Sequence, residues 1–166
     1  LSVEQVGIHA QGKRVLIFGG TAGIGKALSD ILSQAGARVI SRSRSNGCDI
    51  TEWAQVKAAT DSAAHELGGL DLVVNAAGML VKRPLGDSPV DEINQQIQVN
   101  LLGAAWVAKA AHGELKKTRG MLIQFASSSY TRGRGDYVIY SATKAAIVNM
   151  TQGLCDEWAQ DGIRVN

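Results

Sequence analysis

Tyr140 and Lys144 stand four residues apart, and thirteen residues upstream of the tyrosine lies Ser127, the first of the run Ser127-Ser128-Ser129. On a helix, residues i and i+4 lie one above the other on one face, so a phenol and an ammonium become neighbours. A free tyrosine has a pKa near ~10, and an adjacent cation favours the ionised form, which eases proton release near neutrality. A tyrosine so placed can serve as a general acid or base. The same spacing also arises on helices that do no chemistry, so the rest of the chain has to supply the other parts of a site.

The segments that position these groups alternate between strand and helix. Arg14-Val-Leu-Ile-Phe18 is a short apolar run that reads as a buried parallel strand. Gly19-Gly-Thr21-Ala-Gly23-Ile24-Gly25 follows at once, and Ile24, Ala27, Leu28, Ile31, Leu32 and Ala35 then recur at helical spacing until Gly36. Glycines suit this turn because backbone N–H groups at a helix N-terminus meet a pyrophosphate only where no Cβ intervenes. Gly19, Thr21, Gly23, Ile24 and Gly25 are therefore candidate cofactor contacts, the alternative being a tight strand-helix turn. Their spacing, Gly-x-x-x-Gly-x-Gly, differs from the Gly-x-Gly-x-x-Gly of many dinucleotide folds.

Ala37 to Ser43 is the second strand. In dinucleotide folds an acidic residue near its end binds the ribose hydroxyls, whereas arginine accommodates a 2′-phosphate. Here the sequence reads Ser41-Arg42-Ser43-Arg44, with no carboxylate before Asp49. Ser43, Arg44 and Asp49 join the cofactor candidates, and NADP(H) is expected over NAD(H), because guanidinium pairs well with phosphate. Only four residues separate Arg44 from Asp49, too few for a crossover helix. The outer crossover is expected to be shortened and this strand to lie near a sheet edge.

Thr51 to Leu67 carries a helical stripe, and Leu70 to Val74 is a strand closing on Asn75-Ala76-Ala77-Gly78, small residues that permit close approach of a cofactor. Ser88-Pro89 reads as a cap and first-turn proline opening one long helix, with Val90, Ile93, Ile97, Leu101, Ala104, Ala108 and Ala111 on its buried face. Asn100 lies beside that stripe, where its amide needs partners, as either a structural tie or a catalytic group. Gly120 to Ala126 is the next strand, which puts Ser127 at a carboxyl end, the ligand-binding edge of open α/β sheets. The loop Tyr130 to Gly135 leads to the helix of Tyr140 and Lys144, which runs to Trp158 with a smooth side at Ala142, Ala145, Ala146, Asn149 and Gly153. Gly162 to Asn166 begins a further strand. The alternation predicts one α/β domain over 13–166, a Rossmann-like doubly wound parallel sheet, with residues 1–12 as a lead-in.

Composition narrows the function classes. Apolar residues make up 45% and charged ones 19%, and the net charge of +2 predicts neither nucleic-acid nor membrane binding. Cys48 and Cys155 have no metal-ligand spacing, and His9, His65 and His112 are scattered, so neither a disulfide framework nor a metal site is expected. There is no apolar run of membrane-spanning length and no signal-peptide pattern, so a cytoplasmic setting is the default expectation. The start at Leu1 suggests a domain taken from something longer.

With these residues assembled, the chain resembles the short-chain dehydrogenase/reductase family from Lys13 onward. The resemblance is carried by Gly19-x-x-x-Gly23-Ile24-Gly25, Asn75-Ala76-Ala77-Gly78, Asn100 within Val-Asn-Leu, Ser127, Tyr140-x-x-x-Lys144 and Gly162-Ile-Arg-Val-Asn166. It implies that Tyr140 protonates the substrate oxygen as a nicotinamide hydride arrives, and that Lys144 assists the phenol and holds the nicotinamide ribose. Ser127 would bind the reacting oxygen, with Ser128 or Ser129 sharing the task if the loop register shifts, and Asn100 would support proton resupply. Phe18 stands where the family usually has threonine. The resemblance further implies a homodimer or homotetramer, and a substrate lid and last strand beyond the sixth family strand that this sequence does not include. The competing reading is therefore a nucleotide-binding or assembly module without turnover.

A narrower resemblance links Ser127-Ser-Ser-Tyr-Thr-Arg-Gly-Arg134, the shortened Ser-Arg-Ser-x-x-Gly segment and Cys155-Asp-Glu-Trp-Ala-Gln-Asp-Gly-Ile-Arg-Val-Asn166 to the reductase half of bifunctional enzymes fused to a cytidylyltransferase. It implies a ketose phosphate substrate such as ribulose 5-phosphate, with Arg132 and Arg134 meeting the phosphate. Other small ketones or a 3-oxoacyl substrate are the alternatives.

Overall fold

A computed structural model describes residues 9–166. Residues 1–8, most of the expected lead-in, lie outside the described residues. The strands are β1 (Arg14–Phe18), β2 (Arg38–Arg42), β3 (Leu72–Asn75), β4 (Met121–Gln124) and β5 (Arg164–Val165). The helices are α1 (Gly23–Gln34), α2 (Trp53–Leu67), α3 (Val90–Ile97), α4 (Gly103–Thr118) and α5 (Val138–Trp158). All strand pairs are parallel, in the order β2-β1-β3-β4-β5. β1 has the limits expected from the sequence and β3 ends one residue later, at Asn75; the other limits fall one or two residues inside those expected, where loops take over at the sheet rim.

Alternation along the strands divides the core. Leu16 and Phe18 of β1 face one side, with Val56, Ala63 and Leu67 of α2, Val107, Ala111 and Leu115 of α4, and Trp158 of α5. Val15 and Ile17 face the other, under Leu28 and Leu32 of α1. The sheet is doubly wound as expected, but unequally, with α1 holding one face. Only part of the α1 stripe is used. Ala35 is buried and Leu28 and Leu32 half-buried, whereas Ile24 is 67% exposed at the rim of a cleft and Ala27 and Ile31 are also exposed.

Strand β2 is an edge strand, as the short crossover requires. A single 3₁₀ turn at Arg44–Asn46, closed by Gly47 at φ +86, replaces the missing helix, and α2 then carries the chain past β1 to β3. Arg14 fixes the opposite rim. Its guanidinium donates to both Asp71 carboxylate oxygens at 2.8 Å and to the Gly68 carbonyl, and its backbone N–H donates to Asp71 at 2.9 Å.

Two expectations about the long helix need correction. Ser88 does not cap it: its hydroxyl donates to the Pro84 carbonyl at 3.0 Å, and Pro89, extended at φ −59 and ψ 142, precedes the first helical residue Val90. Nor is the helix continuous, since a π turn at Gln98–Leu102 separates α3 from α4. Widening by one residue per turn rotates α3 relative to α4, so Ala104, Ala108 and Ala111 are buried while Val90 is 71% exposed. That π turn contains Asn100.

Candidate active site

Lys144 is the centre of the site. On α5 it is only 6% exposed, and its Nζ donates to the Phe125 carbonyl at 2.7 Å, two residues before Ser127. One turn earlier, the Tyr140 ring centroid lies 5.8 Å from the same Nζ. Burial lowers the Lys144 pKa from the ordinary lysine range, since a low-dielectric setting disfavours the ammonium.

Asn100 is 2% exposed and meets the same region from the π turn. Its Oδ1 accepts the Met79 N–H at 2.8 Å, and its Nδ2 donates to the Met79 carbonyl at 2.8 Å and to Thr143 Oγ1 at 3.2 Å. Thr143 in turn donates to the Tyr140 carbonyl at 2.8 Å. A methyl on Gly78 would sit 3.5 Å from Asn100 Oδ1 and 3.7 Å from Lys144 Nζ, so the end of the Asn75-Gly78 stretch touches both groups. Ser127 opens the turn Ser128–Tyr130, which packs on α5. Its Oγ accepts the Ser129 N–H at 3.3 Å and the Ser129 hydroxyl at 3.0 Å. Ser129 is thus buried in support of Ser127, and Ser128 is exposed.

The glycine turn borders a cleft of about 410 Å³. Among the expected cofactor residues, Gly19, Thr21, Gly23, Ile24, Ser43, Arg44, Asp49, Ala76, Ala77 and Gly78 line it. Gly19, at φ +77, could carry no side chain: its Cβ would stand 2.6 Å from the Ala77 nitrogen. Gly23, at φ +51, has open space where a side chain would project. These glycines keep a cradle clear, which fits a dinucleotide pyrophosphate. Two expected residues do other work. Gly25 is buried, with its Cβ position filled by the Gly19 carbonyl, and Asn75 ties β3 to β4 by donating to Gln124 Oε1 at 3.0 Å.

Ala22, Cys48, Ile50, Met79 and Val99 also line the cleft and were not singled out in the sequence. Cys48 and Ile50 flank Asp49, and Val99 flanks Asn100, so adjacency to a candidate was the available signal. Beside Arg44, Thr21 donates to Ser43 Oγ at 2.8 Å, and Ser43 and Ser45 hydroxyls lie 2.8 Å apart. Arg44 is exposed and has no ion pair or side-chain hydrogen bond among the described residues. Tyr140 and Lys144 do not line this cleft; they stand beyond Gly78.

Arg132 and Arg134 are exposed on the loop before α5 and likewise lack ion pairs among the described residues. That loop is tied to the segment after β3. The Arg83 N–H donates to the Asp136 carbonyl at 2.8 Å, Asp136 adopts φ +62, and the Tyr137 N–H donates to the Arg134 carbonyl at 3.2 Å. Among the described residues, no three or more His, Cys, Asp or Glu are grouped to hold a metal ion, and no helix is long and apolar enough to cross a membrane.

The family model described as enoyl-(acyl carrier protein) reductase matches residues 9–166. The bifunctional ribulose 5-phosphate reductase/CDP-ribitol pyrophosphorylase of Haemophilus influenzae is 38% identical over 152 residues, which cover 92% of this chain and 32% of that enzyme. An uncharacterised oxidoreductase of Staphylococcus aureus strain MRSA252 is 34% identical over 172 residues, covering 92% of this chain and 74% of the relative. The chain thus spans about a third of the Haemophilus enzyme. Among solved structures, a short-chain dehydrogenase/reductase of Serratia marcescens superposes with a TM-score of 0.85 at 25% identity, covering 94% of this chain and 77% of that one. An NADH-dependent reductase of alginate metabolism, complexed with NAD, shares the fold with a TM-score of 0.83 at 22% identity, covering 96% and 78%.

Proposed function

The chain belongs to the short-chain dehydrogenase/reductase family, a family of nicotinamide-dependent oxidoreductases, and from that premise we propose that it reduces the carbonyl of a ketose phosphate with NADPH. The observation that carries the reading is the Tyr140 ring 5.8 Å from the Lys144 ammonium, with that ammonium anchored at the end of β4 and bordering Gly78 of the cofactor cleft.

The bound dihydronicotinamide supplies the hydride. Tyr140 gives its phenolic proton to the substrate oxygen, which Ser127 orients by a hydrogen bond. Lys144 keeps a positive charge beside the phenol as that proton leaves and binds ribose hydroxyls. Asn100, through Thr143, holds the Tyr140 turn in register and supports the path by which the proton is replaced. Gly19, Thr21, Gly23 and Ile24 hold the pyrophosphate and its surroundings, and Ala76, Ala77 and Gly78 allow close approach from the other wall.

The preference for NADPH rests on Arg44 and the adjoining hydroxyls of Thr21, Ser43 and Ser45, a donor set suited to a 2′-phosphate. The phosphorylated substrate is supported by Arg132 and Arg134, and by the Haemophilus relative, whose name gives it ribulose 5-phosphate reductase and CDP-ribitol pyrophosphorylase activities. By the same likeness the parent chain carries a cytidylyltransferase domain. The unpaired Cys48 and Cys155 suit a cytoplasmic enzyme, and the exposed Ala142, Asn149 and Gly153 on α5 suit association of identical copies.

The test is NADPH consumption by the full-length enzyme with ribulose 5-phosphate, ribulose and an enoyl thioester, the last being the class named by the family model's description. Ribulose 5-phosphate is expected to be turned over fastest, and Tyr140→Phe to lower kcat by roughly 10²- to 10⁴-fold while leaving cofactor binding intact. Turnover confined to neutral ketones or thioesters overturns the substrate, and NADH binding as tightly as NADPH overturns the cofactor preference.

A further inference from the structure

We infer that Lys82 is a phosphate-binding residue of the substrate site, forming one anion-recognition rim with Arg134 and Arg132 across the two loops that flank Tyr140. The inference rests on the ketose phosphate reading and names how that phosphate is recognised. Lys82 lies on the segment after β3, in a part of the chain that carries none of the family motifs. It is exposed, and its Nζ sits 5.9 Å from the centre of the Tyr137 ring. Tyr137 is three residues before Tyr140, a separation of roughly 4.5 Å along a helix. A cation at that place lies beside the N-cap residue of the helix that carries Tyr140.

Two backbone hydrogen bonds and one backbone conformation hold the two loops together. The Arg83 N–H reaches the Asp136 carbonyl at 2.8 Å, so the segment after β3 and the loop before α5 form a single wall. The Tyr137 N–H donates to the Arg134 carbonyl at 3.2 Å, so the backbone at Arg134 adjoins the residue whose ring Lys82 covers. Asp136 is kept at φ +62, a left-handed conformation that Asp tolerates better than most residues, as that junction requires.

Charge pairing then separates the cations by role. Arg83 is used up by Glu92, with contacts of 3.1 and 3.4 Å. Lys82, Arg132 and Arg134 have no carboxylate partner among the described residues, and the Asp136 carboxylate pairs with none of them. Unpaired cations on these two adjoining loops form an attractive field for a dianion that a neutral sugar does not exploit. The Tyr137 face steadies the lysine while leaving its N–H donors free.

The experiment compares Lys82→Gln, Lys82→Arg and wild type in the full-length enzyme, with ribulose 5-phosphate and ribulose as substrates and inorganic phosphate as inhibitor. Lys82→Gln is expected to raise KM for the phosphate ester by roughly ten- to hundred-fold, as for loss of a charge-assisted hydrogen bond, with little change in kcat. The same variant should leave kcat/KM for ribulose and NADPH affinity unchanged and weaken inhibition by phosphate, and Lys82→Arg should restore most of the loss. An equal effect on both sugars would mean that Lys82 only braces Tyr137, and no effect on either would mean that it is idle; both outcomes overturn the inference while leaving the substrate reading intact. Wild-type enzyme that ignores ribulose 5-phosphate overturns that reading, and the rim with it.

Discussion

Asn100 occupies both hydrogen-bonding positions of Met79, accepting its N–H and donating to its carbonyl, each at 2.8 Å. The side chain thereby stands in for a neighbouring strand just where β3 has ended, and it anchors the segment that follows the cofactor cleft. Asn100→Ala would leave both Met79 groups without these partners. At ~1–3 kcal/mol for each group left unsatisfied, the two together set an upper range of about 2–6 kcal/mol, with the lower end expected because Met79 is only partly buried, measured by denaturant unfolding. A variant within about 0.5 kcal/mol of wild type would show that water replaces the amide at no cost.

The sequence disclosed that Asn100 needed partners but not which ones, because the π turn that aims it cannot be read from apolar spacing. Val90, Ile97 and Ala104 fit one uninterrupted helical stripe, and a single inserted residue leaves that pattern nearly unchanged. The glycine turn was legible because Gly19 and Gly23 mark positive φ, a local requirement. The Tyr140 and Lys144 pair was legible because helical periodicity alone brings them together. Lys82 and Arg83 were not, since their relation to Tyr137 and Asp136 depends on two loops distant in sequence meeting in space. Ile24 reads both as part of the helical stripe and as a cofactor contact; its 67% exposure and its place in the cleft lining agree with the second.

Lys144 should make stability depend on alkaline pH in a direction fixed by its burial. The folded-state pKa is lowered, so between that value and the unfolded value of ~10.4 the unfolded chain binds the extra proton. Stability therefore rises with pH through this window, and the penalty is complete below the folded-state pKa. Lys144→Met removes the titration. Its Tm relative to wild type, measured without cofactor from neutral pH to about pH 10.5, should fall steadily as the pH rises. The lost bond to the Phe125 carbonyl adds an offset that does not vary with pH. A difference constant across the range would count against a buried, disfavoured ammonium.

The Arg14–Asp71 clamp predicts the acid limb. The Arg14 hydrogen bond holds the Asp71 carboxyl below the usual carboxylate range, more than offsetting partial burial, which raises it. A lowered carboxylate pKa contributes stability above the unfolded value of ~3.9 that disappears as pH falls through the folded value. Asp71→Asn should cost about 1–3 kcal/mol at neutral pH, typical for a hydrogen bond to a charged group, and should flatten the loss of stability below pH ~4. Urea titrations of both proteins at pH 7 and at pH 3 measure the two effects. Equal acid sensitivity in the variant and wild type would assign the acid limb to other carboxylates.

Gly78 offers a way to separate folding from cofactor binding. Its φ is not positive, and an added methyl would meet Asn100 Oδ1 at 3.5 Å and Lys144 Nζ at 3.7 Å, ordinary contact distances. Gly78→Ala should therefore fold with a stability within about 0.5 kcal/mol of wild type, or slightly above it from the restricted unfolded chain. The methyl would nonetheless stand between the cleft and the Tyr140–Lys144 pair, on the route that the proposed function gives the nicotinamide end. NADPH affinity by fluorescence titration is expected to fall at least tenfold, about 1.4 kcal/mol. Gly25→Ala is the opposing control, because its Cβ would strike the Gly19 carbonyl and the fold itself should suffer. Unchanged NADPH affinity in a well-folded Gly78→Ala protein would mean that the cofactor takes a different route past α5, and Lys144 would then lose its part in holding the nicotinamide ribose.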